Sequence, residues 1–162
     1  MVEIRRGNID DIDSIAAIEA NCFPASEAAS KSSFTDRMKV FPNHFYVAHI
    51  NGEMIGFING FVSNERTISD EMFEDASLHN EEGKYQMIFG LDVLAEHRRK
   101  GIANKLMQAV IDSAKEEGRK GVVLTCKDEL IPFYEKMGFK NRGISKSTHG
   151  GAAWYDMELL LG

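Results

Sequence analysis

Apolar residues recur along this chain in two rhythms. Between Asp10 and Cys22 they fall at Ile12, Ile15, Ala16 and Ile18, which predicts a helix capped by Asp10 or Asp11 and ended near Phe23-Pro24. Gly101–Glu117 repeats the rhythm more strongly. Ile102, Leu106, Ala109/Val110 and Ser113/Ala114 form one stripe, and Gly118 is a natural stop. Shorter helices are predicted over Phe34–Phe41, closed by Pro42-Asn43, and over Leu130–Met137.

The second rhythm is that of strands. Glu3–Arg6 reads as a short one. His44–Ile50 and Met54–Val62 flank Asn51-Gly52, a two-residue hairpin signal. Tyr85–Val93 is a strongly apolar strand, and Val122–Cys126 is too short and β-branched for a helix. Arg142–Lys146 and Trp154–Leu160 read as final strands around His149-Gly150-Gly151. Ala25–Ser33 reads as a loop. Asn64–Gly83 reads as an acidic, irregular segment with a short helix over Ser69–Ser77.

This order is α/β. The strand–helix–strand passage over 85–126 implies a right-handed parallel crossover, while the hairpin implies antiparallel pairing. A mixed, twisted sheet covered by helices satisfies both. No repeat or linker divides the chain, so residues 1–162 read as one domain.

Composition narrows the function. Lys+Arg is 19 against 25 Asp+Glu, a net charge of −6, which argues against a general nucleic-acid or membrane-surface binder. The N-terminal residues lack the apolar core of a signal peptide, and no apolar run approaches a membrane span. Cys22 and Cys126 form no CxxC pair and read as reduced thiols of a cytoplasmic protein. The five histidines have no ligand spacing, so no metal is expected.

Against this acidic background, one turn is basic. In Leu91-Asp92-Val93-Leu94-Ala95-Glu96-His97-Arg98-Arg99-Lys100-Gly101-Ile102-Ala103 a buried strand ends, three cations follow, and a long helix begins at a glycine. Free amides at a helix N-terminus bind anions, and small residues there let a phosphate approach. Neither GxxxxGK[ST] nor GxGxxG is present.

Arg98-x-x-Gly101-x-Ala103 resembles the (Gln/Arg)-x-x-Gly-x-(Gly/Ala) signature of the GNAT acyl-CoA N-acyltransferases. Cys126-Lys127-Asp128-Glu129-Leu130-Ile131-Pro132-Phe133-Tyr134-Glu135-Lys136-Met137-Gly138-Phe139 resembles a later segment of that superfamily. The Pro-Phe-Tyr-Glu form, Phe57-Ile58-Asn59-Gly60 and Asn64-Glu65-Arg66 are similar to the arylalkylamine (serotonin) N-acetyltransferase branch.

The resemblance implies a GNAT-like, mostly antiparallel sheet of about seven strands with about four helices and a central splayed parallel pair. It implies acetyl-CoA as cosubstrate and a small primary amine, arylalkylamine or polyamine-like, as acceptor. Cys126 is a nucleophile in principle, but it ends a buried apolar strand with no histidine beside it in sequence, so direct attack in a ternary complex is expected, in a monomer or homodimer. Backbone groups of Leu91 and Val93 would pair with the pantetheine arm. Arg98, Arg99, Lys100, Gly101, Ile102, Ala103 and Asn104 would cradle the pyrophosphate, mainly through amides. Tyr134 would protonate the thiolate of CoA. The alternatives to this leading reading are a protein N-terminal or lysine acetyltransferase, or a degenerate CoA-binding module.

The general base departs from the family pattern. The strand positions that carry a histidine or glutamate in relatives are Met87 and Phe89, and neither takes a proton. An amine of pKa about 10.4 is protonated at neutral pH, and freeing it costs ~4 kcal/mol. Glu27 is the candidate for this work, in the loop Phe23-Pro24-Ala25-Ser26-Glu27-Ala28 that resembles the acceptor-side loop of insect arylalkylamine acetyltransferases. The acidic stretch 65–82 would attract a cationic acceptor. His79 and His97 read as loop residues, and Trp154 as sheet packing.

Overall fold

The computed structural model describes residues 1–162. The strands are β1 (Val2–Arg6), β2 (Phe45–Ile50), β3 (Glu53–Asn59), β4 (Val62–Ser63), β5 (Tyr85–Ile88), β6 (Gly90–Val93), β7 (Gly121–Cys126), β8 (Lys140–Ile144) and β9 (Tyr155–Leu160). The helices are α1 (Ile12–Cys22), α2 (Lys31–Val40), α3 (Asp70–Glu74), α4 (Ile102–Glu116) and α5 (Ile131–Glu135), with 3-10 turns between several elements.

The strands form two sheets, in the orders β1-β2-β3-β6 and β4-β5-β7-β9-β8. Every pairing is antiparallel except β5 with β7. The expected strand over 85–93 is thus two strands parted at Phe89. β5 follows β7 from Tyr85↔Gly121 to Ile88↔Leu124, whereas β6 turns to β3 from Asn59↔Gly90 to Gly56↔Val93. β7 continues to Cys126 with only β9 beside it. The expected splay between the central strands therefore lies between β6 and the end of β7.

Other boundaries moved for local reasons. α2 begins at Lys31, three residues before the expected Phe34, because Ser30 Oγ accepts from Ser33 N at 3.1 Å and caps the helix. The expected strand over 54–62 breaks after Asn59 and resumes as β4 in the second sheet. The expected strand over 142–146 is Lys140–Ile144, with an irregularity between Asn141 and Ile144.

Two cores sandwich the sheets. α1 and α2 bury Ile12, Ile15, Ile18, Phe34 and Met38 with Phe57, Met87 and Val123. On the other face α4 and α5 bury Ile102, Leu106, Val110 and Tyr134 with Ile88, Val93 and Leu124. Each large apolar side chain so buried contributes about 1.5–3 kcal/mol. Both cores meet at the splay, so the strands that part there are rigidly held.

Candidate active site

α4 opens as its sequence predicts. Gly101 takes a left-handed φ of 78°, no side chain caps the helix, and no acidic residue occupies its first turn. Its first amides are therefore uncommitted. Arg99 is also left-handed, at φ 64°, so two left-handed residues flank Lys100 and coil the turn. A Cβ built on Gly101 would meet nothing within 4 Å. Such an open, uncapped and positively lined turn suits a phosphate.

The three cations are not equivalent. Arg98 turns back on the strand, donating from Nε to Val93 O at 2.9 Å and approaching Cys22 Sγ at 3.7 Å. Arg99, Lys100, Gly101 and Asn104 stay exposed, Ala103 is half-buried, and Ile102 is fixed in the core. Leu94 N donates to Ile55 O, so Leu91 and Val93, out of phase with it, turn their backbone groups toward the open edge of β6. Arg98 occupies one of these, the Val93 carbonyl.

The splay opens into a cavity of ≈ 300 Å³. Phe89, Gly90 and Leu91 wall one side, Thr125 and Cys126 the other, and Tyr134 lies at its base. Tyr134 is 8% exposed while its neighbour Phe133 is 36% exposed, so the tyrosine faces inward. Burial first, then the nearby Cys126 and Asp92, push its phenol above the ordinary tyrosine range. Burial pushes the Cys126 thiol up to about 11, with Asp128 adding to the effect, which disfavours its thiolate at neutral pH.

Glu27 reaches the same cavity from the α1–α2 loop. Lys127 Nζ donates to its Oε2 at 2.7 Å, and Oε1 is buried with no donor in the protein. A roof closes over it. His149 Nε2 donates to Glu27 O at 2.8 Å, and Trp154 Nε1 donates to His149 O at 2.8 Å. His149 stacks on Phe73 at 5.0 Å between centroids, and Lys127 lies 5.7 Å from the Trp154 ring centre. Trp154 precedes β9 and lines the cavity, unlike the expected sheet-packing residue.

The acidic stretch does less at the cavity than its charge implied. Of its carboxylates only Glu74 lines the cavity. Asp70 accepts from the Ser147 hydroxyl and from Thr148 N, tying down the roof. Glu81 accepts from Arg119 Nη2 at 2.9 Å, from His44 Nε2 at 3.0 Å and from His79 Nε2 at 2.9 Å. His79 is thus a buried anchor, where an exposed loop residue was expected. Its Nδ1 accepts from Val62 N at 3.0 Å, so its proton sits on Nε2. His44, His79 and Glu81 bring three potential ligand atoms within 4.8 Å, but that tautomer and Arg119 make them a hydrogen-bond hub.

Sequence reasoning missed Glu19 and Arg37, which line the cavity, and Asp92, which is buried beside Gly90. The signals were a carboxylate seven residues after Ile12 on the buried stripe of α1, and another between two apolar residues of β6. A separate hollow of ≈ 340 Å³ over β7 and β9 is spanned by Arg66 and Arg142 holding Glu158.

The model of the acetyltransferase (GNAT) family matches residues 12–139. The chain belongs to this family. It is 28% identical over 146 residues to an N-alpha-acetyltransferase of Sulfurisphaera tokodaii, covering 85% of this chain and 79% of that one. It is 26% identical over 111 residues to the serotonin N-acetyltransferase of Mesocricetus auratus, covering 68% and 52%. A GNAT-like decarboxylase, GphF, solved in complex with isobutyryl-CoA, superposes with a TM-score of 0.83 at 19% identity, over 99% of this chain and 100% of that one. The chain spans 27 to 52% of the length of several curated relatives that it matches.

Proposed function

We propose that this chain is an N-acetyltransferase that moves an acetyl group from acetyl-CoA to a small primary amine, arylalkylamine or polyamine-like, by direct attack in a ternary complex. The observation that carries this reading is the roof. The bonds from His149 and Trp154 close the acceptor side into a cavity of ≈ 300 Å³. That size suits a compact acceptor, with Glu27 and Glu74 to attract its charge and Phe23, Phe73 and Phe89 to hold its body. The distant similarity to serotonin N-acetyltransferase is in keeping with it.

Each residue then has a task. Amides of Arg99 to Asn104 hold the pyrophosphate, Arg99 and Lys100 add charge, and the backbone groups of Leu91 with the amide of Val93 align the pantetheine arm. Arg98 braces the turn against β6. Glu27 receives the acceptor ammonium and takes a proton from it, while Lys127 fixes the carboxylate. Tyr134 gives its proton to the departing thiolate. Burial raises the thiolate's proton affinity along with the phenol's, so the transfer stays matched in a desolvated site. Cys126 holds its proton and forms no acyl intermediate.

A second reading, protein N-terminal acetylation, has the similarity to the S. tokodaii enzyme in its favour. It requires the roof to open for a peptide. A panel of phenethylamine, tyramine, putrescine, spermidine and short peptides with acetyl-CoA, following free thiol, separates the two. Turnover with the amines supports the proposal, and turnover with peptides alone replaces it. CoA binding without turnover on any acceptor would mark a non-catalytic module.

A further inference from the structure

One cluster of buried ionisable groups at the cavity has no task in that scheme. Asp92 is 1% exposed, and neither of its oxygens has a donor in the protein. Burial first, and then the neighbouring carboxyl of Glu19 on α1, push the Asp92 carboxyl well above the ordinary carboxylate range. Glu19 Oε2 accepts from Ala29 N at 2.9 Å, while Oε1 is buried without a donor. A Cβ built on Gly90 would lie 3.2 Å from Asp92 Oδ1, 3.5 Å from Asn59 Nδ2 and 3.6 Å from Glu19 Oε1. These atoms converge behind Gly90, where the strands part, and Glu19 and Gly90 line the cavity.

The other charged groups around the pair are few. Arg37 of α2 faces both carboxyls, donating to Asn59 Oδ1 and to Phe73 O, each at 3.0 Å. It is held over the rings of Phe34 and Phe89, and its Nε has no acceptor in the protein. Burial lowers its guanidinium to about 10, so it remains a cation. Cys22 of α1 and Arg98 of the basic turn also act on Asp92, and Asp92 acts on Tyr134 of α5. Two adjoining carboxyls, desolvated and short of donors, cannot both ionise cheaply, but one proton between them gives each a partner.

The chemistry has a place for such a pair. The acceptor nitrogen enters as an ammonium with three hydrogens and leaves as an amide with one. It sheds two protons as its bond to the acyl carbon forms and the carbon–sulfur bond breaks. One of them replaces the proton that Tyr134 gives to the CoA sulfur, and the other passes to solvent. Glu27 has room for one of them.

We propose that Glu19 and Asp92 share a proton and form a second proton station, which takes up the other proton from the acceptor nitrogen. Glu19 meets the nitrogen and is the catalytic member; Asp92 is a positioning residue that acts through it. Taking up a proton discharges the pair. The charge on Asp92 helps hold the proton on Tyr134, so its loss makes the phenol a better acid as the thiolate departs. This inference rests on the reading of the cavity as an amine site.

The test uses the full chain. Asp92→Asn and Glu19→Gln keep a hydrogen bond across the pair, imitating its protonated form, while removing the exchangeable proton. Infrared difference spectra over a pH titration, with no substrate present, should show a protonated carboxyl band at neutral pH that Asp92→Asn abolishes. With the fastest amine of the panel, each variant should lose about 10²-fold in kcat. KM for acetyl-CoA should stay within about twofold, and the pH profile of kcat should lose an inflection. Absence of the band in wild-type protein, or wild-type kcat and pH profile in both variants, overturns the proposal. Because the infrared readout needs no acceptor, failure of the amine panel is seen separately from failure of the shared proton.

Discussion

The basic turn and the acceptor cavity are built in opposite ways. The turn is seven consecutive residues, Arg98–Asn104, mostly exposed, offering backbone amides set by two left-handed residues. The cavity is assembled from side chains far apart in sequence: 100 residues separate Glu27 from Lys127 and 122 separate it from His149. Reading a phosphate by its charge needs only a helix end and permissive backbone. Moving protons needs carboxyl and phenol groups stripped of water, which only the packed fold supplies. A ligand shared by a whole family can therefore be met by local sequence, while the acceptor is met by tertiary structure. The two halves should respond separately to mutation, one through KM for acetyl-CoA and the other through kcat and KM for the amine.

The sharpest way to probe that division is Tyr134, which stands where the halves meet. Tyr134→Phe removes the hydroxyl proposed as proton donor and keeps the ring that packs against Phe133 and Phe139. Steady-state thiol release should show kcat down by about 10²–10⁴-fold, with both KM values near wild type. A rise in KM for acetyl-CoA at unchanged kcat would assign Tyr134 to binding and dissolve the distinction.

The same division explains what was legible in the sequence. The element order, the parallel crossover and the basic turn follow from local apolar rhythm and one run of residues, and the structure carries all three. The break at Phe89 was not visible, because Tyr85–Val93 is apolar throughout and only its partners show that β5 and β6 enter different sheets. Glu27 was singled out from its loop and lines the cavity, but its bond to Lys127 and the roof from His149 depend on tertiary contacts. Glu19 and Asp92 were passed over since a carboxylate in an apolar segment has no meaning until another faces it. The acidic stretch misled in the other direction. Glu81 and Asp70 are structural anchors, and their charge is already spent on Arg119, His44, His79, Ser147 and Thr148.

Two glycines with similar backbones test the halves against each other. Gly150 has φ 64°, and a Cβ there would fall 2.5 Å from Glu27 Cγ and 3.1 Å from Ser26 O. Gly150→Ala adds about 1–2 kcal/mol of left-handed strain and forces Glu27 or the roof to move. The expected result is KM for the amine raised by about tenfold, with KM for acetyl-CoA unchanged. Equal effects on both substrates would show that the roof and the basic turn are mechanically joined.

The smallest effect is expected at Gly101, where φ is 78° and a Cβ would meet no protein atom within 4 Å. Gly101→Ala therefore brings no steric conflict inside the protein, only backbone strain of about 1 kcal/mol or slightly more. That strain lowers Tm by a few degrees, roughly 2–4 °C for a chain of this size. A separate effect appears on binding, because the added methyl group occupies space that a phosphate needs to reach the amides of α4. KM for acetyl-CoA should rise by about fivefold while KM for the amine and the pH profile of kcat stay as in wild type. Desulfo or dephospho analogues of CoA locate the effect. If the methyl group obstructs the pyrophosphate, removing the 3′-phosphate leaves the ratio of variant to wild-type affinity unchanged. A ratio that collapses with the 3′-phosphate would move the anion site from the helix end to the exposed cations Arg99 and Lys100.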